Sequence, residues 1–414
     1  MILLSVVAAI AGLFGFPGAG GDLQTGSLNA RAITIVESSH RIEFPDRIVF
    51  TLEADAPPDV QSARLYYTVG PHDVKVYTYP VRFTNSENIE AEFIVNTGKD
   101  GFIPQGVEIE YYYVFTDSLG NLTVSDSRTF EYLDPRYDWR RLSMDDFTII
   151  WHNRPERVVR RTAADVSIRM RAVRELFGLE GNYDFKAVII NSRAEADRSF
   201  PPVSDTSQDT FLYGGFAFNR YDVLVVAGLN RDSLIHELTH LMFDERLDSP
   251  RAKPPAWLNE GIAMYFEPGG GYRQSDVQRA FRSGNLIPLR HMRSVPGRPD
   301  DVRLFYSQSA SVVRFMMDEF GPERMDTLLT EINEGRKIDE ALIATYGVGV
   351  DELDRGWRRY LAGETSIFQI RDPGALGTSA IIGAALLVTT SAVLIRWLKN
   401  LRKSSQPTDD EEEL

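Results

Sequence analysis

The 414-residue chain contains no cysteine. That excludes a disulfide-stapled exterior and leaves stability to packed cores, as in many exported prokaryotic proteins. It also removes the thiolates that usually hold a purely structural zinc. Basic residues are in deficit, 45 Lys and Arg against 59 Asp and Glu, for a net charge of -14. Such a chain lacks the electrostatic footprint of a nucleic-acid binder, so no nucleic-acid partner is expected. Histidine is scarce, six in all, so two at a ligand spacing are not expected by chance. Folding capacity is not lacking: 43% hydrophobic and 25% charged residues describe a folded protein, and the length allows two or three domains.

Two of the six histidines fall in His236-Glu237-Leu238-Thr239-His240. Residues four apart share one face of a helix, so His236 and His240 can both present an imidazole nitrogen to one ion. Glu237 flanks that face and can hold a water without taking a coordination site. Leu234, Leu238 and Leu241 recur at helical spacing and give the helix an apolar stripe to bury. Glu260 follows in Trp257-Leu258-Asn259-Glu260-Gly261, on a second expected helix opened by Pro254-Pro255. Two His and one Glu make a catalytic zinc set, because three protein ligands leave a tetrahedral position for water.

H-E-x-x-H followed by Asn259-Glu260-Gly261 resembles the gluzincin metallopeptidases, the group containing thermolysin-like and aminopeptidase-N-like enzymes. Tyr306-Ser307-Gln308-Ser309-Ala310, leading into Val312-Val313-Arg314-Phe315 and ending at Gly321, resembles the helix start of the aminopeptidase-N-like branch. The resemblance spans about residues 143–365. It implies His236, His240 and Glu260 as ligands of Zn2+, Glu237 as general base and Tyr306 as the hydroxyl that steadies the oxyanion, with a packing role for Tyr306 left open. The glutamate-bearing strand with which the aminopeptidases capture a free amino terminus is missing. Its nearest counterpart, Gly214-Gly215-Phe216-Ala217-Phe218-Asn219, has no glutamate. Exopeptidase specificity is therefore not carried over, and the stretch reads either as an edge strand that pairs with a peptide backbone or as an ordinary strand.

The two ends set the organisation. Residues 2–16 are almost wholly apolar and are followed by Gly18, Ala19, Gly20 and Gly21, which marks 1–21 as a secretory leader or, since no Lys or Arg precedes the run, an uncleaved anchor. Residues 375–395 carry no charge and would rise about 31 Å as a helix, the thickness of a bilayer core. Arg396, Lys399, Arg402 and Lys403 follow at once, placing the tail 396–414 in the cytoplasm and the rest outside a cell membrane crossed once.

Between 31 and 133, runs rich in β-branched and aromatic residues at 48–52, 63–69, 74–81, 89–95 and 107–116 are separated by turn residues. They suggest an all-β immunoglobulin-like sandwich. Residues 117–121 read as a hairpin turn and 134–141 as a linker. A multidomain chain is expected: the sandwich, an α+β gluzincin-type metallopeptidase domain at 143–365 and a C-terminal transmembrane helix. In the second domain, strand 147–151 precedes a helix on which Val159, Ala163, Val166, Met170, Val173 and Phe177 keep a 3.6-residue period until Gly178. Strands are expected at 185–190 and 221–227, a mobile loop at 192–213, and helices over most of 275–361. His40, His72, His152 and His291 have no second His or Cys at helical ligand spacing and read as surface or packed residues.

These readings converge on a membrane-anchored, extracytoplasmic zinc peptidase acting on a peptide or protein substrate. The rival is an inactive cell-surface binding protein that works through its immunoglobulin-like domain; the intact Glu237 argues against it.

Overall fold

The computed structural model describes residues 33–71, 75–83, 87–98, 101–201, 214–268 and 274–364. The expected leader 1–21, span 375–395 and tail 396–414, together with His72, lie outside them. Among the described residues no helix is long and apolar enough to cross a membrane.

A β-rich N-terminal region is followed by an α-rich one. In the first, β1 (Thr34–Glu43), β2 (Arg47–Asp55) and β6 (Asn88–Asn96) form an antiparallel sheet in the order β1-β2-β6. A second sheet runs β4-β3-β7-β8, with β5 added to β3 and β9 to β7. Its members are β3 (Val60–Val69), β4 (Val76–Tyr77), β5 (Val81–Arg82), β7 (Glu108–Asp117), β8 (Leu122–Val124) and β9 (Arg128–Glu131). Strand side chains alternate between faces, and β6 shows it directly: Ile89, Ala91, Phe93 and Val95 are buried while the residues between them are exposed. The inner faces meet through aromatic pairs, Phe50 with Tyr111 at 4.8 Å and Phe93 with Tyr113 at 5.6 Å between ring centroids.

Four of the expected strands are present, three of them longer than read and the fourth, β7, shifted by one residue. The run at 74–81 instead breaks into β4 and β5, because Pro80 between them has no N–H to give a ladder. Strand β1 was not legible as a run: its Glu37, Ser38 and Ser39 interrupt the apolar residues, and a register shift between Ile35 and Glu37 breaks the alternation.

A five-stranded sheet, ordered β10-β11-β12-β14-β13, carries the second region. It comprises β10 (Arg140–Ser143), β11 (Phe147–Trp151), β12 (Phe185–Ile190), β13 (Gly215–Phe218) and β14 (Val223–Ala227). The central strands β11, β12 and β14 are parallel and buried on both faces, which explains their unbroken apolar runs. Ile149, Trp151, Ala187, Ile189, Leu224 and Val226 face the helices. Ile150, Val188, Ile190, Val223 and Val225 instead belong to the core of the β-rich region. The contact is close: Gly106, at φ +91°, brings its backbone where a Cβ would stand 2.7 Å from Val188 Cγ2.

Helix α1 (Glu156–Phe177) buries the residues expected from its period and ends at Gly178, whose φ of 61° forms a left-handed cap. The stretch read as a linker is a packed strap. Asp134 is buried, Trp139 Nε1 donates to its carbonyl, Tyr137 stacks on His152 at 4.0 Å, and Arg140 already belongs to the sheet. The expected loop at 192–213 contains helix α2 (Arg193–Ser199), whose start is set by Ser192 and Glu195, a Ser-x-x-Glu cap. Residues 202–213 of that loop lie outside the described residues. Helices α3 (Arg231–Arg246), α4 (Ala256–Phe266), α5 (Gln274–Arg282), α6 (Pro299–Phe320), α7 (Pro322–Asn333), α8 (Ile338–Tyr346) and α9 (Val350–Leu361) complete the chain as described.

Candidate metal centre

Asn230 starts α3 by accepting the backbone N–H of Asp232 and Ser233 at 2.9 and 3.2 Å. Leu234, Leu238, Leu241 and Phe243 pack into the core shared with α1, and this apolar seam turns His236 and His240 to the other side. Their Nε2 atoms stand 3.1 Å apart. Helix α4 begins just after Pro255 and presents Glu260 to them, its Oε2 3.4 Å from His236 Nε2 and 3.3 Å from His240 Nε2. One ligand atom from each of the three residues lies within 4.8 Å of the others, the single such group among the described residues.

Glu260 Oε2 is buried and makes no well-formed hydrogen bond. A buried acceptor left in that state is costly. A divalent cation would satisfy it together with the two converging imidazole lone pairs, so the residues fit a metal on the chemistry of the donor set alone. The outer nitrogens are already engaged. Asn259 Oδ1, which can only accept, lies 2.8 Å from His240 Nδ1, so Nδ1 carries the proton and Nε2 keeps its lone pair for the centre. Glu267, at the end of α4, places Oε2 3.4 Å from His236 Nδ1. Glu267 lies seven residues beyond Glu260, on the same stripe of α4, so helical spacing could have pointed to it although the motif does not include it.

The charges are tightly linked. Burial opposes protonation of His236, but the carboxylates of Glu260 and Glu267 against it, with the charge of Glu237, lift its pKa to about 10. His240 is raised in the same sense: burial opposes its protonation, and Glu260 outweighs it. Burial would raise Glu260, yet His240 and His236 hold it well below the usual carboxylate range. Glu237 is raised, chiefly by burial, against the pull of the two histidines and of the Ala217 N–H that donates to it.

Ala217 lies on β13, the edge strand of the sheet, which pairs only with β14 among the described strands. The glycines before it lie close against α3. A Cβ at Gly214 would stand 2.7 Å from Ser233 Oγ, and one at Gly215 would stand 3.0 Å from Glu237 Cγ.

Tyr306 differs from expectation in its place on the helix. The resemblance put it at a helix start, whereas α6 begins at Pro299 and Tyr306 lies two turns inside it. Its half-buried ring is 6.2 Å from that of His236, centroid to centroid. The remaining described histidines stand apart from the centre: His40 stacks on Phe130 at 3.7 Å, His152 is buried against Glu195, and His291 is exposed.

Residues 208–363 match the family model described as Peptidase MA superfamily. This part of the chain is a metallopeptidase-like domain. The match covers less than half of the chain, and no curated protein matches it. Among solved structures, wild-type OgpA from Akkermansia muciniphila is similar at 14% identity and a TM-score of 0.21, over 24% of this chain and 27% of that one. Catalytically inactive OgpA from the same organism, in complex with an O-glycopeptide (glycodrosocin) substrate, is similar at 13% identity and a TM-score of 0.21, over 24% and 28%. The chain thus spans little more than a quarter of the length of the structures it matches.

Proposed function

We propose that this protein is a membrane-anchored, extracytoplasmic zinc peptidase that hydrolyses peptide bonds. The observation that carries the reading is the convergence of His236, His240 and the buried, unsatisfied Oε2 of Glu260, with the buried carboxylate of Glu237 beside them. Zinc held by these three residues would supply a Lewis acid that brings the pKa of water toward ~7. Asn259 and Glu267 orient the two imidazoles from behind. Glu237 takes the proton of the attacking water and returns it to the leaving amine, a role suited to a carboxylate whose pKa is raised. The Tyr306 hydroxyl donates to the developing oxyanion, as the likeness to the aminopeptidase-N-like branch implies. The outer edge of β13, which pairs only with β14 among the described strands, would lie against the backbone of an extended substrate. Anchoring rests on the uncharged run 375–395 and its basic flank, and the β-rich region is read as an immunoglobulin-like module outside the membrane.

The test is Glu237→Gln, which keeps the shape of the side chain and removes the base. Zinc content should stay at one equivalent while turnover on a mixed peptide library falls by about 10²–10⁴-fold. Near-parental cleavage by the zinc-loaded variant would overturn the assignment of the base.

A further inference from the structure

Glycine is the poorest helix former after proline, yet Gly261 lies within α4, buried, directly after Glu260. The structure around it shows why a side chain is missing. A Cβ at Gly261 would stand 2.6 Å from the carbonyl oxygen of Ser309 and 2.6 Å from Val313 Cγ2, both on α6. The Val313 contact is with a side chain, stiff in a helix but removable by substitution. The Ser309 contact is not, because its carbonyl belongs to the backbone of a regular helix. Ordinary contact between carbon and a carbonyl oxygen is about 3.3–3.6 Å, so one methyl group would force α6 outward by roughly 0.7 Å or more.

The face of α6 that rests on Gly261 is the face that carries Tyr306. Residues 306, 309 and 313 are spaced i, i+3 and i+7, and so share one stripe of the helix. Tyr306 is one turn from the point of contact, with its ring 6.2 Å from that of His236. Glu260, beside Gly261, belongs to α4 and would keep its place when α6 moves.

We propose that Gly261 is a positioning residue: the absence of its side chain sets the spacing of α4 and α6 that holds Tyr306 beside His236. Its consequence for turnover rests on the reading of Tyr306 as oxyanion donor; the spacing itself does not. The bland alternative is a glycine that serves packing alone, whose loss lowers stability without a specific link to Tyr306.

Two measurements on Gly261→Ala separate these. Crystal structures of the parent and the variant should show α6 displaced and the separation of the Tyr306 and His236 rings increased by several tenths of an ångström; an unchanged separation overturns the proposal. Kinetics on the most rapidly cleaved peptide of a fluorogenic library should show kcat lowered by about 10-fold or more, since a misplacement near 1 Å costs up to 10²-fold. KM and zinc stoichiometry should hold. In the Tyr306→Phe background the same substitution should cost nothing further, because the group it misplaces is already gone. An equal fold-loss in both backgrounds, per zinc-loaded folded protein, would mark Gly261 as a packing residue and overturn the proposal. Tyr306→Phe alone keeps the two ideas distinct: an unchanged kcat there removes the donor role, while the crystallographic separation still decides the spacing. Should Gly261→Ala not fold, Gly261→Ala with Val313→Ala relieves the side-chain clash and retains the backbone one. The displaced α6 is expected there too, and its absence counts equally against the proposal.

Discussion

His152 with Glu195, both buried, and His236 and His240 with Glu260, all partly buried, are two histidine–carboxylate groups in one molecule, and they differ in how their hydrogen bonds are spent. Glu195 accepts from His152 Nε2 at 2.9 Å, from the Asn191 N–H at 2.8 Å and from the Ser192 hydroxyl at 3.1 Å. Tyr137 stacks on one side of the His152 ring, and Trp139 meets it edge-on at 4.7 Å. The group is closed and locks the strap 134–139 to the ends of β11 and β12. At the other group, Asn259 and Glu267 take the outer nitrogens while the inner ones and Glu260 Oε2 converge on each other. A close His–Glu contact does not by itself distinguish a functional site from a structural clasp. Unsatisfied donor atoms aimed at one point do.

The sharpest way to break this comparison is to remove one member from each group and titrate zinc. His236→Ala or Glu260→Gln should weaken binding by more than the 10–100-fold that loss of an outer partner typically costs, whereas His152→Ala should keep one equivalent at parental affinity. Equal zinc binding in all three variants would sink the distinction.

Glu267→Gln sharpens the comparison within the metal group. The amide can still meet His236 Nδ1 but brings no charge, so zinc affinity should fall by about 10–100-fold with stoichiometry retained. Unchanged affinity would return Glu267 to a helix-end role.

Proton release gives a further contrast. In the metal-free protein His236 is raised above its ordinary value to about 10, so its charged form contributes stability fully below about pH 6.5, and that contribution is lost as pH rises through about 10. The depressed Glu260 behaves oppositely: its contribution is present above the ordinary carboxylate pKa and lost as pH falls below it. Zinc must displace the proton from His236. Binding should therefore tighten with pH from neutrality toward about 10 and release protons at pH 7, as calorimetry in buffers of different ionisation enthalpy would report. No proton release at pH 7 would contradict the charge assignment.

The smallest effect is expected at His152. Its removal leaves Glu195 two donors of three, so His152→Ala should cost about 1–3 kcal/mol in denaturant unfolding. A change in zinc affinity there, with stability intact, would reverse the roles given to the two groups.

Legibility in the sequence followed the range of the interaction. The α1 stripe, the Gly178 cap and the shared face of His236 and His240 depend on neighbours within a turn or two, and periodicity exposes them. The hairpin turn after β7 is local too. Gly261 and the clasp around His152 are set by contacts between elements far apart in the chain, which no spacing rule contains. Tyr306 shows the boundary between the two: its nearness to His236 accompanied the motif, but the start of its helix did not, because residues 299–305 extend α6 by two turns before it. The Ser192-x-x-Glu195 cap was local and readable, and the run of small polar residues after it hid the helix.

The central claim is that His236, His240 and Glu260 hold zinc for peptide hydrolysis, and cleavage of a mixed peptide library by the purified full chain tests it most directly. The protein should cleave as isolated, lose activity on chelation and regain it with one equivalent of zinc, while a Glu260→Gln preparation treated identically stays inactive. Cleavage that survives chelation, or that Glu260→Gln retains at the parental rate, would contradict the account.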